Sequence, residues 1–220
     1  MTNKRRPQTS GEVQLARYSR KRDFAITPEP TGNVTKGNAL ALTFVIQKHW
    51  ASRLHYDFRL ELNGVLQSWA VPKGPSLDPK ERRMAIHVED HPVSYGDFEG
   101  TIPPKQYGAG KVIVWDRGTW QPVGEPNAGL AAGKLVFRLH GEKLAGLWEL
   151  VRISKEGAKQ DQWLLFKKHD EWARSLSEYD VLVASPDSVI DRPHGLPERR
   201  QLKSVARNHP TAAGHDVPDL

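Results

Sequence analysis

The sequence predicts an all-β domain: a closed or nearly closed β-barrel of about eight strands, with short flanking helices and disordered termini. Three observations carry this expectation. Apolar and polar residues alternate with a period of two through many short segments, as in Leu40, Leu42, Phe44 and Ile46 against Ala41, Thr43, Val45 and Gln47. Strands generate that period because successive side chains point to opposite faces. Turn formers are abundant, with 18 Gly and 16 Pro in 220 residues, and many fall between those segments. Seven tryptophans, from Trp50 to Trp172, bring large buried area to a chain that is only 38% hydrophobic.

Taken in order, residues 1–21 lack apolar periodicity and read as a flexible basic arm. Lys4, Arg5, Arg6, Arg17, Arg20, Lys21 and Arg22 face only Glu12, so residues 1–22 hold the whole net charge of +6. Charge placed this way suits a phosphate-backbone partner, although a solvated leader would look the same. The domain is expected over residues 22–180. After the first strand, Tyr56, Phe58, Leu60 and Leu62 alternate with His55, Asp57, Arg59 and Glu61. Asn63-Gly64 follows, the strongest short hairpin signal, and Val65–Val71 returns as its partner. Further strands are expected at Arg83–Glu89, Lys111–Asp116, Leu135–Leu139, Leu147–Ile153 and Gln162–Lys167. On the first of these, Met84, Ile86 and Val88 should face the core. Many short strands at close spacing favour closure into a barrel. Short helices are expected around Pro79–Arg82 and Glu171–Glu178. Residues 181–220 are neutral overall and read as a disordered tail, with a short helix near Leu202.

Composition also excludes. Without cysteine there is no disulfide framework and no thiolate metal site, so any metal must sit on His and carboxylate ligands. The first residues carry no apolar leader, and no run approaches the roughly 18 apolar residues of a spanning helix. A cytoplasmic, nucleoid-associated protein without membrane attachment is expected.

The chemistry concentrates in His49-Trp-Ala-Ser-Arg-Leu-His55-Tyr-Asp57-Phe-Arg59. On a strand, His55, Asp57 and Arg59 share one face, with His and Asp roughly 7 Å apart along it. That is near enough to share one cation. His49, across a short loop, completes a two-His, one-carboxylate set suited to Mn²⁺, Fe²⁺ or Zn²⁺. Arg59, one pleat on, can grip phosphate bidentately. A second cluster is Arg83-Met-Ala-Ile-His87-Val-Glu-Asp-His91-Pro-Val-Ser-Tyr95. His91, in a loop before Pro92, can act as general acid or bind a phosphoryl oxygen while protonated; His87 reads as a solvated strand residue. An Fe(II) site using His91 in place of His49 is an open alternative on spacing alone. Gly108-Ala-Gly110 reads as a tight turn, because it lacks the lysine and the strand–loop–helix context of a phosphate loop. Trp69, Trp115, Trp148 and Trp163 are expected in the core, and loop-borne Trp50 at the substrate.

The strings QKHWASRLHYDFRLELNGVLQSWAVPKGPS and EDHPVSYGDFEGTIPPKQYGAGKVIVWDRGTW resemble the 3′-phosphoesterase module of bacterial DNA ligase D. KRDFAITPEP, GLWELVRI and QWLLFKKHD extend the likeness over about residues 20–170. The resemblance implies a β-barrel acting on a DNA primer-template 3′ end, removing a terminal ribonucleoside and then hydrolysing the 3′-phosphate. It also implies Mn²⁺ as the preferred cofactor, with Co²⁺, Zn²⁺ or Cu²⁺ able to use the same ligands. His49, His55 and Asp57 would be the metal ligands, which decides for His49 over His91. Arg59, His91 and Tyr95 would contact the scissile phosphate, with Lys73 and Arg83 in support. Arg22, Asp23 and Glu29 match further positions important to the family. Such modules are commonly fused to ligase and polymerase domains, so a freestanding, monomeric version is expected here. The basic arm would then replace tethering to end-joining ligase, polymerase or end-binding partners.

Overall fold

The computed structural model describes residues 10–31, 41–155 and 157–190. Ten strands run through them: β1 (Leu42–Trp50), β2 (Leu54–Leu62), β3 (Val65–Val71), β4 (Arg83–His87), β5 (His91–Pro92), β6 (Gly100–Ile102), β7 (Gly110–Pro122), β8 (Lys134–Gly141), β9 (Ala145–Arg152) and β10 (Asp161–Lys167). All pairings are antiparallel. The order β1-β2-β3-β4-β10-β9-β8-β7 closes on itself through β1–β7 pairing, giving an eight-stranded barrel. β5 adds to the edge of β3, and β6 to β7.

Local chemistry sets the register. Asn63 and Gly64 take φ of +56° and +79°, the left-handed pair that a two-residue hairpin turn requires, and Leu62 consequently pairs with Val65. The β1–β7 ladder slips by one residue between Ile46 and Gln47. A bulge of this kind bends the long β7 so that the sheet can close.

Closure creates two apolar layers. Inside the barrel, Trp69, Trp115, Trp148 and Trp163 are fully buried among Phe44, Phe58 and Phe137, as expected of strand-borne tryptophans. Outside it, Leu15, Tyr18, Val45, Leu66, Tyr95, Val112 and Val114 form a second cluster. β2 lies between the layers, so both of its faces are buried, including Asp57, Arg59 and Glu61. A half-solvated strand would leave those charges in water; here they must be paired.

Four expectations need correction. The basic arm is not a featureless leader: Ser10–Arg20 forms helix α1, whose Leu15 and Tyr18, one turn apart, are buried against the barrel. Residues 1–9 lie outside the described residues. Pro79–Arg82 and Glu171–Glu178 hold turns, not helices. The helices fall at α2 (Pro126–Ala132) and α3 (Val181–Ala184), where Glu125 and Asp180 accept from first-turn amides. The domain also continues past residue 180. Val181 and Val189 are buried, the Val189 amide donates to the Val114 carbonyl, and the Trp115 indole donates to the Ser185 carbonyl. Residues 191–220, with the helix expected near Leu202, lie outside the described residues.

Finally, β4 faces the other way. Ala85 is buried and Met84 is exposed. Trp69 and Trp163 meet edge-on at 5.9 Å inside the barrel, and Ala85 pairs with Trp163. The small methyl leaves room that Met84 would overfill. His87 follows Ala85 inward, stacking on Trp69 at 5.0 Å and meeting Asp161 at 3.0 Å, so it is not simply solvated. Ala85→Leu is therefore expected to cost about 1–3 kcal/mol by overpacking, and Met84→Ala within about 0.5 kcal/mol, measured by urea unfolding; the reverse ranking would restore the original face assignment.

Candidate metal centre

β1 and β2 are joined by the short turn at residues 51–53, and His49 stands directly across the ladder from His55. His49 is thus a strand residue, not a loop residue folding over. One step in, Gln47 stands opposite Asp57. Alternation turns His49, His55 and Asp57 to the same outer face. Their ligand atoms lie within 4.8 Å of one another. His49 Nδ1 is 3.5 Å and His55 Nε2 is 3.7 Å from Asp57 Oδ2.

The other nitrogen of each ring is occupied. His49 Nε2 lies 2.8 Å from the Gly108 carbonyl, and His55 Nδ1 lies 2.9 Å from the Arg53 carbonyl. A carbonyl can only accept, so each of those nitrogens carries the proton and donates. The remaining nitrogens face Asp57, and a divalent ion bound there would take their lone pairs. This is how proteins orient imidazoles for a metal, and the donor set of two nitrogens and one carboxylate fits a divalent ion. The Gly108-Ala-Gly110 turn therefore aims a ligand and does not cradle phosphate. Its neighbour Tyr107 is held by Lys21, which donates to the Tyr107 hydroxyl (2.8 Å) and to Glu89 (2.9 Å).

Asp57 is almost wholly buried, which opposes ionisation. The Arg59 guanidinium at 3.3 Å, followed by His49 and His55, outweighs that burial and holds its carboxyl well below the usual carboxylate range. Arg59 is itself nearly fully engaged. Its Nε donates to Gln47 Oε1 (2.9 Å) and one terminal nitrogen donates to Ser68 Oγ (2.8 Å). That nitrogen also lies 2.9 Å from His91 Nδ1, which itself donates to the Glu89 carbonyl at 2.9 Å. The other terminal nitrogen, facing Asp57, keeps an N–H for a phosphate oxygen.

His91 lies between two guanidiniums, with Arg59 at Nδ1 and Arg22 at Nε2 (3.2 Å). Burial, then Arg59, then Arg22, push its pKa well below the ordinary imidazole value. With no phosphate at the site, these surroundings favour the neutral ring. It is also not among the clustered ligands, so the oxygenase-type alternative loses its third ligand. Arg22 pairs with Glu29 at 2.8 Å and stacks on Tyr18 at 3.8 Å. Glu29 also accepts from Thr27 (2.7 Å) and from the Tyr95 hydroxyl (3.0 Å). A continuous chain of contacts thus runs from Asp57 through Arg59, His91, Arg22 and Glu29 to Tyr95.

Residues 47–152 match the model of the DNA ligase D 3′-phosphoesterase domain. The chain carries that domain. It is 55% identical over 193 residues to the multifunctional non-homologous end joining protein LigD of Pseudomonas aeruginosa. The LigD proteins of Mycobacterium tuberculosis and Mycolicibacterium smegmatis are 42% and 38% identical over 173 and 189 residues. These alignments cover 87%, 77% and 80% of this chain but only 23%, 22% and 23% of those relatives.

The structure treats the eight expected positions beyond the candidate ligands unequally. Arg59, His91, Tyr95, Arg22 and Glu29 form the buried network, whereas Asp23 is an exposed turn residue whose carboxylate accepts from the Ala25 amide. Lys73 is exposed, and Arg83 donates to the Lys73 carbonyl and pairs with Glu81. Neither makes a hydrogen bond or ion pair with the cluster among the described residues. Sequence reasoning missed Gln47, Ser68, Tyr18 and Glu89. Glu89 was visible in the EDHP string, and Gln47 would have followed from the β1–β2 register. No helix among the described residues is long and apolar enough to cross a membrane.

Because folding depresses the His91 pKa, the unfolded chain takes up this proton first as pH falls. The ring's contribution to stability is intact above about pH 6.5 and is lost below it. Urea midpoints should fall more steeply from about pH 7 to pH 5 for the wild type than for His91→Asn; parallel slopes would show that His91 is not held neutral.

Proposed function

We propose that this chain is a divalent-metal-dependent DNA 3′-end-healing phosphoesterase acting in non-homologous end joining. It removes a 3′-terminal ribonucleoside from a primer strand and then hydrolyses the resulting 3′-phosphate to a 3′-hydroxyl. The observation that carries this reading is the pair of carbonyl-fixed imidazoles aimed at one ionised carboxylate, beside a buried guanidinium. Mn²⁺ is the proposed cofactor; Co²⁺, Zn²⁺ and Cu²⁺ suit the same donors. When bound by His49, His55 and Asp57, the cation supplies Lewis-acid polarisation of a phosphate oxygen.

The chain's own residues account for the rest. Asp57 stays ionised across the working pH range. Arg59 meets charge developing on the phosphoryl group with its free N–H, already held in place by Gln47 and Ser68. Burial first, then the two guanidinium charges, disfavour a proton on His91; a bound phosphate offsets the charge part of that penalty and so favours proton uptake on binding. Tyr95 and Glu29 hold Arg22 against His91. Lys73 and Arg83 are assigned to more distant phosphates of the DNA. We further propose that the protein acts as a monomer on nucleoid DNA in the cytoplasm, alongside the end-joining ligase, polymerase and end-binding proteins.

A labelled primer-template ending in one ribonucleotide, incubated with Mn²⁺, should lose the terminal nucleoside and then its 3′-phosphate. No product with any divalent metal would leave a non-catalytic end-binding barrel. Calorimetric titration with Mn²⁺ checks the ligand assignment separately. His49→Ala should abolish tight binding, and His91→Ala should leave it within a few-fold while slowing both steps, unequally if His91 protonates a leaving group. Loss of the metal in His91→Ala with retention in His49→Ala would reverse the assignment.

A further inference from the structure

The tip of the β1–β2 hairpin carries a second surface, on the side away from the metal ligands. Trp50 ends β1, next in the chain to His49, and pairs across the sheet with Leu54 on one side and Lys111 on the other. Its indole is 39% exposed and Leu54 is 43% exposed, whereas the four barrel tryptophans are completely buried. Lys48 Nζ stands 4.9 Å and Lys111 Nζ 5.9 Å from the Trp50 ring centre. Lys48 also donates to the Pro186 carbonyl at 3.4 Å, which steadies it beside the ring. Trp172, the other strongly exposed tryptophan, has no cation over its ring among the described residues.

The backbone beneath Trp50 is fixed. A Cβ at Gly110 would sit 2.1 Å from the Trp50 carbonyl oxygen, so only glycine lets β7 approach β1 this closely and deliver Lys111 beside the indole. A fixed backbone with a free aromatic face is a preorganised platform. Beside it, Arg53 in the adjoining turn and Lys111 are exposed and make no ion pair among the described residues. Uncompensated cations flanking an open indole complement a ligand with both a π-face and phosphates, which describes a nucleotide strand and neither a lipid acyl chain nor an apolar peptide.

We propose that this tip holds a DNA end from both sides, with the terminal phosphate on the His49–His55 face and an exposed base stacked on Trp50. Lys48 and Lys111 then meet the phosphates that flank that base. The proposal rests on the reading of the substrate as a DNA terminus and adds the residues that recognise the terminus as an end.

The test uses an all-deoxy primer-template with a 3′-hydroxyl, which carries neither a terminal ribonucleoside nor a 3′-phosphate to remove, in Mn²⁺ with the full chain. Trp50→Ala should weaken binding by roughly 5- to 150-fold, the span of one base-stacking contact, and Trp50→Tyr should restore most of it. Terminal 2-aminopurine fluorescence should be quenched by the wild type and not by Trp50→Ala. Lys48→Ala and Lys111→Ala should each lower the slope of log affinity against log salt by about one contact. Unchanged Mn²⁺ affinity in Trp50→Ala shows that the variant is folded. Binding by Trp50→Ala within twofold of wild type, with quenching intact, overturns the stacking platform. Failure of the wild type to bind any DNA end overturns the DNA-end reading itself, and the platform with it.

Discussion

The outer face of this barrel is organised around one buried cation. Arg59 sits between the two apolar layers, where an unpaired guanidinium would be prohibitively costly. Its surroundings satisfy it in several directions at once: Asp57 by charge, Gln47 and Ser68 by hydrogen bonds, Tyr95 by its ring face, with Arg59 5.1 Å from the centroid. Each partner is thereby fixed. Asp57 is kept ionised and aimed at the histidines, Gln47 ties the 3-10 helix Val93–Asp97 to β1 through the Tyr95 carbonyl, and His91 is denied a proton. The position of the ligands follows from the electrostatics of a residue that is not one of them.

Much of this was legible in the chain. Period two and Asn63-Gly64 defined β2 and β3, and strand alternation alone put His55, Asp57 and Arg59 on one face. What alternation could not show was that this face is covered. A polar-apolar pattern looks the same whether the polar side meets water or a second layer, and here α1 together with the Tyr95–Phe98 segment supplies that layer. The error on β4 has the same origin. Met84 and Ile86 look like core residues by hydropathy, but barrel curvature and two facing tryptophans admit only Ala85 between them. The cluster of His49, His55 and Asp57 was legible because its spacing is local. Arg22 and Glu29 could be placed only by resemblance, because their contacts span 69 residues to His91 and 66 to Tyr95.

The comparisons bear on the barrel and its site, and the rest of the LigD relatives lies outside this chain's reach. Within that scope the geometry is informative about division of labour. A single carboxylate and two neutral imidazoles would leave a bound divalent ion with net positive charge, and Arg59 adds to it, while Arg22 is offset by Glu29. Such a site favours anionic ligands, so phosphomonoester and phosphodiester groups fit it better than neutral esters.

Helix α1 and the segment that follows contribute no strand to the barrel, yet they supply Tyr18, Arg22 and Glu29 and close the polar network from outside. The aromatic core inside the barrel includes no residue of this strap, which packs only on the outer layer. Protection of the strap's amides against hydrogen exchange would then report a local opening free energy, smaller than that of global unfolding. Closure of the polar network would then depend on how tightly one short helix adheres to the outside of the barrel.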